Sequence, residues 1–191
     1  YPLLFIQFGG TAFIMGFLSV TYAQYQYAMN KDLGYNSDRV VYTGYLFENT
    51  ANALSNVRNL PYVENAELAM NNLLNLVGTR LIMTEDKSKI KFASRYGQFN
   101  EHFLHFMDIR LKAGKYHTTH NEILVNPAFV KEMGWTSDGI GEVVPGLGTV
   151  TGIIDIAFPD QSESSPYYVS WISEGIKGWS IDLHARLKEP F

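Results

Sequence analysis

The sequence predicts an α+β fold preceded by one membrane-spanning helix. Three observations lead there. The first 30 residues carry no Asp, Glu, Lys, Arg or His, and the first charge is Lys31. Beyond them, short β-branched and aromatic runs are interspersed with short helical patterns that have capping residues. Finally, these strands and helices do not alternate strictly, so α+β describes them better than a doubly wound parallel sheet.

The apolar run comes first. From Leu3 to Tyr22 the chain reads LLFIQFGGTAFIMGFLSVTY, with Gln7, Thr11, Ser19 and Thr21 as its only polar side chains. A helix of that length spans about 30 Å, the thickness of a hydrocarbon core. Tyr22, Tyr25 and Tyr27 follow where an interfacial aromatic belt belongs. A signal peptide and a buried core helix are the competing readings. The first wants a basic n-region, a shorter apolar stretch and a small-x-small cleavage site, none of which is evident. The second rarely runs so long without a charge. Opening on Tyr1, the chain reads as a fragment or a processed product. Gly9, Ala12, Gly16, Ser19 and Ala23 recur at steps of three and four and so share one helix face. Such a stripe lets a second helix approach closely; equally, Gly and Ala are simply common in membrane helices. Past the belt no Pro or Gly interrupts the chain until Gly34, so the helix is expected to continue as a stalk, with Gly34 as its C-cap. Residues 1–34 thus form the transmembrane and stalk segment, with Tyr22, Tyr25 and Gly34 as its landmarks.

The remaining elements follow in order. RVVYTGYL (39–46) reads as a strand, and ENTANALSNVRNLP as a helix capped by Asn49 or Thr50 and stopped by Pro61. YVENAELAM gives a second strand and hence a β-α-β start. GTRLIMT and KIKFASRY flank the polar turn EDKS as a hairpin. NEHFLHFM is a short helix with Asn100 as cap. EILVNPAFVKEMGW is the clearest local signal: a strand, Asn126 as N-cap, Pro127 at the first helical position and Gly134 as the stop. GTVTGIIDIAF, YYVSWI and SIDLHARL close the chain as strands.

Composition excludes several functions. A net charge of −4, without a clustered basic face, argues against nucleic acid as a partner. The absence of cysteine removes thiolate metal sites, disulfides and cysteine nucleophiles together. His102 and His105, like His117 and His120, stand three apart, a spacing that suits zinc, but no glutamate completes a metalloprotease-type motif. GLGTVTG runs from a turn into a strand, whereas a phosphate loop must run into a helix N-terminus. No G-x-S-x-G elbow is present, and the run PDQSESSP reads as a solvent loop. Nothing here reads as an enzyme, and no residue is assigned a catalytic, cofactor or metal role.

With those residues on the page, the chain resembles the extracytoplasmic, MacB-like periplasmic core domain of an FtsX/MacB-type ABC transporter permease of the kind found in Bacteroidetes. The resemblance rests on FIQFGGTAFIMGFLSV, on YQYAMNKDLGYNSDRVV with KDLGY as its most specific piece, and on FNEHFLHFMDIRLKAGKYH, EILVNPAFVKEMGW and TVTGIIDIAF. These cover about half the chain in the family's order. Lys115 stands where the family often has Arg, and Ile154-Asp155-Ile156 replaces a more usual Val-Lys-Asp.

The resemblance implies a β-α-β-rich porter-like subdomain from residues 35–77 plus 151–191, with a smaller mixed subdomain, residues 78–150, inserted into it. It also implies the second extracytoplasmic domain of an eight-helix permease in the inner (cell) membrane, with a further membrane span after Phe191. No cofactor is expected in this chain, because ATP is used by a separate cytoplasmic ATPase subunit. That subunit, a second permease protomer or half, and a periplasmic or outer-membrane protein are the implied partners. The implied function couples ATP-driven helix motion to export or release of a periplasmic substrate. The alternative reading is a periplasmic sensor domain that binds a ligand and signals through its membrane helix; a metal-dependent enzyme would instead show ordered metal at the paired histidines.

Overall fold

The apolar segment is one uninterrupted helix, α1 (Pro2–Asn30), in a computed structural model that describes residues 2–46, 50–70, 78–84, 86, 88–156, 165–171 and 181–189. At 1.5 Å per residue its 29 residues span about 44 Å. None of its residues is buried, and Phe5, Phe8 and Phe13 are each about three-quarters exposed or more. Its hydroxyls turn back onto the helix: Thr11, Ser19 and Thr21 donate to the carbonyls of Gln7, Met15 and Phe17 at 2.8–2.9 Å. These three hydroxyls are thereby satisfied without water. Tyr1–Asp32 and the chain from Leu33 onward are two separate units.

The second unit is the α+β mixture that the sequence predicts. A three-stranded sheet is formed by β1 (Val40–Leu46), β2 (Val63–Ala69) and β10 (Ile181–Leu187) in the order β1-β10-β2. Because β10 is antiparallel to both neighbours, β1 and β2 run parallel, joined by α2 (Thr50–Arg58) as the predicted β-α-β start. The last described strand fills the gap between the first two, a split β-α-β arrangement. Alternation then divides its side chains. Leu183 and Ala185 pack with Val63 and Ala66 against Ala53, Leu54 and Val57 of α2. His184 and Arg186 point the other way.

The larger sheet follows the order β3-β4-β9-β6-β8-β5, with β7 also paired to β8. Its strands are β3 (Gly78–Met83), β4 (Ile90–Gln98), β5 (Leu111–Gly114), β6 (Glu122–Val125), β7 (Val143–Val144), β8 (Gly148–Ile154) and β9 (Tyr167–Ser170). The predicted hairpin is β3 and β4. Sheet membership therefore changes at Gly78 and again between β9 and β10. Strand β8 crosses residue 151, and β9 lies inside this sheet between β4 and β6 rather than beside β1 and β2.

Two short helices cover the larger sheet. The helix α4 (Pro127–Met133) is built as its sequence predicts: the Asn126 side chain accepts from Phe129 N at 2.9 Å, Pro127 opens the helix and Gly134 ends it at φ 75°. Its Phe129 packs with Ile123, Val125, Val150 and Tyr168 on one face of the sheet. On the other face lies α3 (Glu101–Phe106), where Asn100 caps by accepting from Phe103 N at 2.7 Å. Phe103, Leu104 and Phe106 share one core with Leu124, Ile154 and Val169 of the larger sheet and with Ala69 of the smaller. Each such fully buried side chain stabilises by about 1.5–3 kcal/mol. The second unit is thus layered, with α3 between the two sheets.

One expected landmark moves. The helix α1 ends at Asn30, so Gly34 is not its C-cap. Gly34 adopts φ 74° because its backbone lies directly against Asp155, whose carbonyl oxygen a side-chain carbon at position 34 would overlap. The residues 145–148 of the glycine motif form a turn, with Leu147 N donating to Val144 O at 3.0 Å between antiparallel β7 and β8. The proposed Asn49 cap and most of the run 159–166 lie outside the described residues.

Candidate functional site

Residues 33–39, which follow the apolar helix in sequence, are fastened to the rest of the second unit by Arg186, Asn36 and Arg39. The Arg186 side chain comes from β10, where strand alternation aims it at α3, and it is 9% exposed. Its Nη2 donates to Asn36 O at 3.2 Å and to Phe106 O at 2.6 Å. The guanidinium carbon lies 5.4 Å from the centre of the Phe106 ring, within cation–π range. Phe106 is the last residue of α3, so its carbonyl has no partner further along the helix and a cation there complements the helix terminus. The Asp108 carboxylate is 3.7 Å away but largely exposed, so screening leaves that pair little weight beside the two carbonyl bonds, of which the one to Phe106 is buried.

Asn36 completes the knot. Its backbone N–H donates to Met107 O at 2.7 Å, its side-chain amide to Asp108 Oδ2 at 3.0 Å, and its side-chain oxygen accepts from Asp38 N at 2.9 Å. Asp108 holds φ 54°, a left-handed conformation that aspartate tolerates, and this carries the chain out of α3 toward Asn36. Further on, Leu187 N donates to Arg39 O at 2.9 Å. Arg39 Nη1 also donates to Leu187 O at 2.9 Å and lies 3.5 Å from Glu64. Tyr35 packs on the core around α3, and burial raises its phenol above the ordinary range.

Directly beside Arg186 on the same strand face lies His184, buried between aromatic rings. Tyr42 of β1 stacks at 5.6 Å and Phe103 of α3 meets it edge-on at 4.9 Å. Neither ring nitrogen has a partner of hydrogen-bond geometry. Burial pushes its pKa down to about 4, an effect that the nearby Asp182 backbone only partly offsets. The imidazole is therefore neutral near pH 7 and serves as packing.

The other histidines do not assemble into a centre. His117 is buried with Nε2 2.8 Å from Phe99 O, and burial lowers its pKa. His105 lies against Tyr116 and 3.5 Å from Glu101, while His120 packs edge-on against Trp171. His102 is exposed. Among the described residues no three His, Cys, Asp or Glu groups are placed to hold a metal ion. Gly9, Ala12, Gly16, Ser19 and Ala23 are exposed on α1, as are Tyr22 and Tyr25, and a Cβ at Gly9 or Gly16 would meet nothing within 4 Å. At the two departures from the family pattern, Lys115 lies 3.5 Å from the Glu122 carboxylate and Asp155 pairs with Lys112. The bonds around Arg186 and Asn36 form an arrangement that fastens the segment. Sequence reasoning did not single out Arg186, Asn36 or His184; the alternation of IDLHARL sets His184 and Arg186 on one face but does not show what covers it.

No family model matches this sequence, and no curated protein does. Solved structures do. A domain assigned to a permease protein from Porphyromonas gingivalis is 18% identical with a TM-score of 0.56, over 81% of this chain and 77% of that one. The extracellular domain of the noncanonic ABC-type transporter YknZ from Gram-positive bacteria is 10% identical with a TM-score of 0.51, over 78% and 82%. The periplasmic region of MacB from Actinobacillus actinomycetemcomitans is 10% identical with a TM-score of 0.52, over 86% and 81%. At these identities the likeness is one of fold. The chain has the fold of the extracytoplasmic domains of MacB-type transporters, joined in sequence to an apolar helix long enough to cross a membrane.

Proposed function

We propose that this chain is the extracytoplasmic domain of an FtsX/MacB-type ABC transporter permease, with α1 as a membrane-spanning helix and the second unit outside the inner membrane. The observation that carries the reading is the pairing of that fold with a 29-residue helix whose large apolar side chains are all exposed. So much uncovered apolar surface needs lipid or a partner helix around it. A cytoplasmic ATPase subunit hydrolyses ATP and moves the membrane helices. The segment after α1 carries that motion to the second unit, whose rearrangement expels or releases a periplasmic substrate. Such a task calls for a stiff helix and a well-fastened domain, not for a reactive side chain, so the chain itself performs no catalysis and holds no cofactor. The stripe from Gly9 to Ala23 packs on a neighbouring helix of the same permease or of a second protomer. A periplasmic or outer-membrane protein completes the path.

The test uses the full-length permease, purified with its ATPase and placed in lipid nanodiscs. This chain has no cysteine; with any cysteine elsewhere in the permease and its ATPase replaced, a dye at Glu132→Cys, exposed on α4, reports the distance of the domain from acceptor-labelled lipids by energy transfer. ATP is expected to change that transfer. An ATPase that does not co-purify, or a transfer signal indifferent to ATP, would overturn the reading.

A further inference from the structure

We propose that Arg186 is the coupling residue of this domain: it pins the segment after the membrane helix to α3, so that displacement of residues 33–36 is delivered to both sheets at once. The inference rests on the transporter reading above and names the side chain through which that reading operates.

Asn36 bonds the end of α3 directly and Arg39 bonds the last strand, but the Arg186 side chain reaches the segment and α3 from the smaller sheet at once. Asn36 and Phe106 are 70 positions apart in sequence, yet one guanidinium nitrogen bonds both of their carbonyls. Arg186 contributes these bonds from the central strand of the smaller sheet, whereas Phe106 ends the helix that packs against the larger sheet. Three parts of the unit therefore meet at one cation: the entering segment, the smaller sheet and α3. The nearly parallel rings of Phe99, Phe103 and Phe106, with centroids 5.0 and 6.1 Å apart, extend α3 toward the end of β4 as a stiff aromatic stack. A pull on Asn36 is thus transmitted to the Phe106 backbone through two short polar links and then through close-packed rings.

Lysine does not reproduce this. An ammonium is a single point donor without a planar fork, and it does not stack on the Phe106 ring as a guanidinium does. Methionine keeps much of the stem's packing and removes both bonds.

The experiment uses the nanodisc transporter with its ATPase and the dye at Glu132→Cys. In Arg186→Met, ATP hydrolysis by the separate subunit should stay within about twofold of wild type, while the ATP-driven transfer change falls at least threefold. Arg186→Lys should lie between the two. With the dye moved to a non-thiol handle at position 132, the cysteine pair Asn36→Cys and Asp108→Cys replaces side chains now 3.0 Å apart, and a short thiol-bridging reagent across them should restore the response in Arg186→Met. A simple folding defect would not be rescued in this way. A full response in Arg186→Met overturns the proposal, as does a loss that bridging fails to repair. If Arg186→Met does not assemble, a wild-type response in Arg186→Lys overturns it instead. A wild-type transporter without any ATP response overturns the transporter reading, a different outcome from a wild type that responds and a variant that responds equally.

Discussion

His184 makes the stability of the second unit depend on pH in a direction that its surroundings fix. Facing it are Tyr42 from β1, Phe103 from α3 and, in register on β2, Glu67, whose carboxylate is engaged by Arg58. None of these stabilises an imidazolium enough to offset burial, and its pKa falls to about 4. In the unfolded chain the same group titrates near 6.5. The unfolded state therefore binds the proton first as pH falls, so stability is full above about 6.5, declines between about 6.5 and about 4, and levels off below. The loss from this residue is about 2 kcal/mol between pH 7 and pH 5, and about 3 kcal/mol in the limit. Because His184 is 2% exposed, solvent screening removes little of this. His117 shifts in the same direction, so the measurement is a difference between variants. Urea unfolding of the chain in detergent, followed by the fluorescence of Trp135, Trp171 and Trp179, reads the second unit alone, since all three tryptophans lie beyond the helix. His184→Leu should be as stable as wild type or more so at pH 7, because it removes unpartnered ring nitrogens from an apolar site. Its decline from pH 7 to pH 5 should be smaller by about 2 kcal/mol. Equal declines in the two proteins would show that the imidazole is hydrated or paired in solution, and the reasoning would fall.

Two further outcomes follow from the backbone and the membrane helix. Gly34→Ala places a Cβ on the Asp155 carbonyl at a positive φ, and should cost about 2 kcal/mol in the same unfolding assay or expose the amides of residues 33–36 to rapid hydrogen exchange. Wild-type stability and protection would mean that this segment is not fastened. Gly16→Leu should weaken helix association in a bilayer, measured by energy transfer between labelled copies; unchanged association would remove the packing role of the Gly9-to-Ala23 stripe.

Local chemistry made much of the fold legible. The caps Asn100 and Asn126, the Pro127 start and the Gly134 stop act within one or two turns, so the spacing of a few residues suffices to place α3 and α4. The polar turn between two β-branched runs likewise announced the β3–β4 hairpin. Length and the lack of charge identified α1 without reference to anything distant. Its end was harder to read: the unbroken run to Gly34 predicted a longer helix, whereas the glycine answers to the Asp155 carbonyl, more than a hundred residues away. The strand LKAG of β5 was also missed, since four residues carry too little pattern and it exists by pairing with β8.

The sequence by itself determined that this protein has an uncharged helix of membrane-spanning length followed by a mixed α and β unit, because periodicity, caps and charge are properties of neighbouring residues. Only the tertiary structure decided what the last strand does. Alternation in IDLHARL assigns its apolar positions to one core and would leave His184 and Arg186 facing water. Instead β10 inserts between β1 and β2, and α3 closes over that second face, burying an imidazole and a guanidinium that no local rule would bury. The physical reason is that a charged side chain tolerates burial only where distant carbonyls converge on it. Asn36 and Phe106 come to Arg186 through chain topology, a relation that a linear sequence does not display.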